Sequence, residues 1–242
     1  MDDMTNKKET TSAEVDPRKD AKKPFQIVES YKSLRTNLLF TLATAERRSV
    51  AITSAEPHAG KSTTSANLSI VMAQTNFKVL LIDADMRSPS LDRVFRTGRT
   101  NGLSKVLGGM QPLEDAVVKR VAPNLDLLPA GPIPPNPQEL LCSEEMVSLL
   151  KSAEEKYDYI FIDTPPVGIV ADALMLTREI AGILLVVREG QTSHDEFRAA
   201  VEAIQNENIG GRILGTVLTD VQQKKGTYKE RYYKSSDYRY GR

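Results

Sequence analysis

An α/β fold, with a mostly parallel sheet flanked by helices on both faces, follows from three observations. Six short apolar runs recur along the chain, at Ser49–Ser54, Lys78–Asp83, Leu125–Leu128, Tyr159–Asp163, Ile183–Val187 and Ile213–Leu218. Segments with helical spacing lie between most of them. The runs are continuously apolar rather than alternating, so both faces of the sheet need cover, as in a parallel sheet.

The bulk numbers agree. A chain of 242 residues, 40% hydrophobic and 26% charged, suits one domain with a substantial core. No stretch approaches the roughly 18 consecutive apolar residues of a membrane span. One cysteine and two histidines leave no internal disulfide, Cys-rich zinc site or histidine cage. With a polar N-terminus in place of a signal peptide, the expected location is the cytosol. Lys+Arg and Asp+Glu both total 32. That balance argues against a nucleic-acid binder working by bulk charge.

Taken in order, residues 1–24 carry six acidic and six basic side chains and almost no large apolar ones, which reads as a disordered leader. A helix follows from Gln26 to about Thr44, because Ile27, Tyr31, Leu34, Leu38 and Leu42 share one face. A second helix spans Lys61 to about Gln74. Pro129 to Pro137 holds five of the 13 prolines and forms a stiff loop. Further helices are expected over Glu144–Lys156, Asp172–Ile180 and His194–Asn208. Ser193 and Glu196 make a capping box at the start of the last. Residues 25–223 therefore form the folded domain. Residues 224–242 contain no Leu, Ile, Val, Phe, Met or Ala and form a flexible tail.

The first strand runs into Ala55-Glu56-Pro57-His58-Ala59-Gly60-Lys61-Ser62-Thr63. This is the phosphate-loop pattern G-x-x-x-x-G-K-[ST] with Ala at the first Gly, so the sheet is of the P-loop NTPase kind. Backbone N–H groups in such a loop, opening a helix N-terminus, nest phosphate oxygens. Lys61 reaches the outer phosphates and the Ser62 hydroxyl can ligate Mg²⁺. Two other strands end in acids, Asp83-Ala84-Asp85-Met86-Arg87 and Asp163-Thr164-Pro165-Pro166. Strand C-termini are where ligands bind in such sheets. Carboxylates there can hold Mg²⁺, directly or through water, and one can accept a proton from an attacking hydroxyl. An Mg-nucleotide site with ATP as ligand is the resulting expectation. His58 reads as a solvent-facing loop residue, His194 as a surface residue and Cys142 as an idle thiol. Arg87 contacts phosphate or pairs with Asp85; the sequence leaves both open.

Five of the eight tyrosines, Tyr228, Tyr232, Tyr233, Tyr238 and Tyr240, crowd the tail. The tail also holds seven Lys/Arg against two acids, so it is +5 while residues 25–223 are −5. Tyrosine ordinarily sits in cores or interfaces. A segment without a core offers either a stacking surface for single-stranded nucleic acid or a row of phosphate acceptors. Flexibility suits the acceptors, which must enter an active site extended.

These residues together resemble the cytoplasmic form of the bacterial tyrosine kinase family. The phosphate loop, Asp83-x-Asp85-x-Arg87, Ile162-Asp163-Thr164-Pro165-Pro166 and the Pro129–Leu141 segment match from about Gln26 onward, and the tyrosine cluster is the most specific part. The resemblance implies a protein-tyrosine autokinase of capsular and exopolysaccharide synthesis, with Asp83 receiving the tyrosine proton, Asp85 supporting it, and Ser62, Asp83 and Asp163 around the metal. It further implies tail phosphorylation in trans, a membrane-anchored activator that recruits the chain to the inner face of the membrane, and other protein substrates. A ring-like homo-oligomer is also implied, through an E-x-x-R-x-x-R motif that appears here as Glu29, Lys32 and Arg35, with Lys at the first Arg. At His58-Ala59 the family commonly has Gly-Glu. The competing reading is a partition or septum-positioning ATPase, a nucleotide-gated binding module. Such proteins carry a lysine after the first loop glycine where this chain has Glu56.

Overall fold

A computed structural model describes residues 17–206 and 210–221, with side chains from Gln26 onward. Seven strands are present: β1 (Ser49–Ser54), β2 (Val79–Asp83), β3 (Val118–Ala122), β4 (Leu125–Leu128), β5 (Tyr159–Asp163), β6 (Gly182–Arg188) and β7 (Ile213–Thr219). They form one sheet in the order β3-β4-β2-β5-β1-β6-β7. Every pairing is parallel except that of β3 with β4.

Strand alternation divides the core. Val79 and Leu81 of β2, Tyr159 and Phe161 of β5, and Val50 and Ile52 of β1 face one side. There they meet Leu38 and Leu42 of α1 (Pro17–Leu42) and Leu68 and Met72 of α2 (Lys61–Ala73). Leu80, Ile82, Ile160 and Ile162 face the other side. Short helices α3 (Leu91–Val94), α4 (Leu103–Leu107), α5 (Leu113–Ala116) and α6 (Pro137–Leu141) follow β2 and β4. The longer α7 (Glu144–Glu154) and α8 (His194–Gln205) complete the set. Leu103, Leu149, Leu150, Ala200 and Ile204 are among the residues that fill the second face. The Ser193–Glu196 capping box is present at α8.

Four differences from expectation have local causes. The chain enters α1 at Pro17, ahead of Gln26, so its first turns overlap the leader read from composition; proline's fixed φ suits a first helical turn. Strand β3 (VKRVA) is half-exposed at the sheet edge and irregular in register, so it carries no continuous apolar run. The segment Ala171–Leu176 is a 3₁₀ helix rather than a longer α-helix. The helices α3 to α6 are four or five residues long, too short for any periodicity to show.

The sheet order sets the site. The chain steps from β1 across β5 to β2, and β5 later hands over to β6 on the opposite side of β1. The C-terminal ends of β1, β2 and β5 thus converge where strand order reverses, the usual ligand crevice of an open sheet.

Candidate active site

The phosphate loop leaves β1 at Ser54 and delivers α2. Gly60, the N-cap of α2, adopts φ 89°. A side chain there would be strained, and its Cβ would lie 3.4 Å from Thr219 Cγ2. His58 also has a left-handed backbone, φ 61°, and its ring is exposed. Ala55 and Ala59 are buried, Glu56, Gly60 and Ser62 are half-buried, and Pro57 and Thr63 are exposed. The loop is braced from outside. Thr219 Oγ1 donates to the Ala59 carbonyl at 2.7 Å, and Arg188 Nη1 to the His58 carbonyl at 3.3 Å. Thr192 Oγ1 donates to Glu56 Oε1 at 2.6 Å. From below, Gly168 packs so closely that a Cβ would strike the Ala55 carbonyl.

The register of β2 against β5 pairs Asp83 with Asp163, and neither is exposed at all. Lys61 reaches between the strands. Its Nζ lies 3.1 Å from Asp85 Oδ2 and 3.2 Å from each Asp163 oxygen. Ser65 Oγ donates to Asp163 Oδ1 at 2.9 Å. Asp83 Oδ2 accepts from the backbone N–H of Ser90 and Leu91, at 3.1 and 3.0 Å. Asp85 Oδ1 accepts from Ser88 N at 3.0 Å. The other Asp83 oxygen, Oδ1, is buried without a hydrogen-bond partner.

This geometry shifts protonation. Burial, then the Asp163 charge, push Asp83 up from the ordinary 3.8 to about 7 against the opposing pull of the Leu91 N–H, Lys61 and the Ser90 N–H. Burial raises Asp163 as well, with Lys61 and the Ser62 and Ser65 hydroxyls opposing. Burial alone would lower Lys61, but the charges of Asp163 and Asp85 and their hydrogen bonds outweigh it and raise the ammonium. The charged Lys61 can bind anionic phosphate, and the neighbouring Asp83 carboxylate, which titrates near neutrality, can take up a proton.

The residues also fit Mg²⁺. Hard oxygen donors converge, and the orphaned Asp83 Oδ1 is a buried acceptor in need of a cation. Among the described residues no three His, Cys, Asp or Glu side chains form a metal-binding group. Magnesium needs none, because it takes one or two carboxylates together with substrate phosphates and water.

Other expected residues find different places. Arg87 does not pair with Asp85; it grips Asp172 with two hydrogen bonds, Nε to Oδ2 at 3.0 Å and Nη2 to Oδ1 at 3.2 Å. Lys32 pairs with Glu29 on α1 at 2.8 Å, and Arg35 Nη1 donates to the Val71 carbonyl of α2 at 2.8 Å. His194 and Cys142 are exposed. The five tail tyrosines lie outside the described residues. Sequence reasoning missed Ser65, Gly168, Asp172 and Thr219. Ser65 was findable, four residues after Lys61 on one helix face. The others reach the site only through tertiary packing.

The AAA domain family matches residues 47–206. Tyrosine-protein kinase YwqD of Bacillus subtilis is 41% identical over 209 residues, covering 86% of this chain and 87% of the relative. The chain belongs to the bacterial tyrosine-protein kinases. The kinase domain of Escherichia coli tyrosine kinase ETK superposes on this kinase with a TM-score of 0.79 at 33% identity, over 93% of this chain and 85% of that one. A more distant neighbour is the septum site-determining protein MinD of Pyrococcus horikoshii complexed with Mg-ADP. Its TM-score is 0.58 at 27% identity, over 71% of this chain and 69% of that one. Among the described residues, no helix of the kinase is long and apolar enough to cross a membrane.

Proposed function

We propose that this kinase is an ATP- and Mg²⁺-dependent autokinase that phosphorylates its own C-terminal tyrosines in trans and regulates capsular or exopolysaccharide synthesis and export. The observation that carries the reading is Lys61 held between Asp85 and Asp163 beside an Asp83 that titrates near 7. ATP is bound by the loop Ala55–Thr63, whose N–H groups and Lys61 receive the phosphates. Ser62, Asp83 and Asp163 would hold Mg²⁺, which when bound would supply charge neutralisation at the phosphates. The phenol oxygen attacks the γ-phosphorus, ADP leaves, and the phenol proton passes to Asp83 with Asp85 in support.

The wider reading extends the sequence resemblance. Tyr228, Tyr232, Tyr233, Tyr238 and Tyr240 are the acceptors, and other proteins can serve as substrates. Glu29, Lys32 and Arg35 lie at the contacts of a ring-like oligomer. A membrane-anchored activator recruits the kinase to the inner face of the cell membrane, and nucleic acid is no partner. Glu56 weighs against a partition-type ATPase, because its carboxylate is engaged by Thr192 within the same chain.

The test is incubation with Mg-ATP, with and without an activator fragment, and mapping of phosphotyrosine by mass spectrometry. Label is expected within residues 228–240 and is lost in Lys61→Met. Absence of label there under every condition would overturn the reading.

A further inference from the structure

Two ties join the loops that carry the carboxylates. The inner tie is Lys61, bonded at once to Asp85 after β2 and to Asp163 at the end of β5. The outer tie is the two-point pair of Arg87, two residues beyond Asp85, with Asp172, which lies in the first turn of the 3₁₀ helix after β5. Asp172 is fully buried, while the Arg87 side chain is 42% exposed. A buried carboxylate with one arginine as its ion-pair partner is costly to leave unpaired. That cost fixes Arg87 and, through the backbone, the Asp83–Asp85 turn. Met86 between them is fully buried and cannot follow a loose loop.

The two ties differ in one respect. Lys61 is also the residue that reaches phosphate, so nucleotide binding draws it away from Asp85 and Asp163 and weakens the inner tie. The Arg87–Asp172 pair contains none of the residues assigned to the phosphates. We propose that Asp172 is a positioning residue: through Arg87 it keeps Asp83 and Asp85 in place against Asp163 when Lys61 turns to the nucleotide. The inference rests on the autokinase reading for its kinetic consequence, but not for its structural one.

Two measurements separate these. In autophosphorylation kinetics, Asp172→Asn lowers kcat about tenfold and leaves the KM for ATP within twofold, because the phosphate loop is untouched. Arg87→Lys, which keeps one charged contact, recovers part of the loss. A kcat within twofold of the parent, or a raised KM with unchanged kcat, would overturn the proposal. Unfolding of Asp172→Asn is monitored by circular dichroism, and Arg87→Lys serves as the second reading should that variant prove unstable. Hydrogen exchange at residues 84–91 needs no catalysis. Lys61→Met and Asp172→Asn each loosen this segment, and the double variant exceeds their sum. Additive effects would refute paired ties. If the parent labels no tyrosine while exchange is non-additive, the autokinase reading fails and the positioning role stands.

Discussion

Asp83 and Asp163 face each other across the β2–β5 register, two buried carboxylates in adjacent strands with one lysine near both. Burial first, and then the charge of the neighbouring Asp163, push Asp83 up to about 7.

Its proton makes stability pH-dependent in an unusual direction. Between about 4 and 7 the folded chain holds a proton on Asp83 that the unfolded chain has released. Stability therefore falls as pH rises through that window. Asp83→Asn keeps an acceptor for the Ser90 and Leu91 N–H groups and removes the titration. Urea melts at pH 5 and 8 should show the variant's pH slope reduced, and its stability at pH 8 raised by on the order of 1–3 kcal/mol. Tyrosine phosphorylation should fall about 10²-fold or more. An unchanged slope would show that Asp83 titrates normally.

Lys61→Met leaves Asp85 and Asp163 without their shared cation. Breaking a buried pair costs about 3–5 kcal/mol, and because burial raises Asp163 the penalty should shrink as pH falls and that carboxylate takes up a proton. Denaturant melts across pH measure it. A penalty independent of pH would mean that lost packing, not lost charge, dominates.

Gly168→Ala puts a methyl group into the Ala55 carbonyl. Overpacking of this kind costs about 1–3 kcal/mol. Because the displaced group begins the phosphate loop, binding of a fluorescent ADP analogue should weaken about tenfold. Normal binding would show that the loop yields freely.

Thr219→Val removes the hydroxyl that holds the Ala59 carbonyl at 2.7 Å. The expected stability loss is about 1 kcal/mol. The KM for ATP should rise several-fold with kcat little changed, as measured by initial rates. Ser193→Ala serves as the contrast: it costs about 1 kcal/mol at the α8 cap and should leave both kinetic constants unchanged.

Much of this architecture is written locally, and that is why it could be read. Each core strand is a run of apolar residues that alternates between two buried faces, as Val79 to Ile82 does, and the phosphate loop and both acidic strand ends are short motifs. Edge strand β3 was invisible because Lys119 and Arg120 belong to solvent and interrupt its pattern. The partner of Arg87 was equally hidden. Asp172 lies 85 residues away, and only the adjacency of β2 and β5 brings it near. The tertiary braces of the loop, Gly168 and Thr219, carry no sequence signal of their own.

Thr219 and the Ala59 carbonyl it holds stand 160 residues apart. A ribosome therefore makes the phosphate loop well before this brace. Until β7 docks beside β6, the emerging chain carries a loop that lacks the Thr219 brace. Such long-range closure slows folding. It also means that a ligand taken up by the folded loop should favour chains in which β7 has docked over those in which it has not.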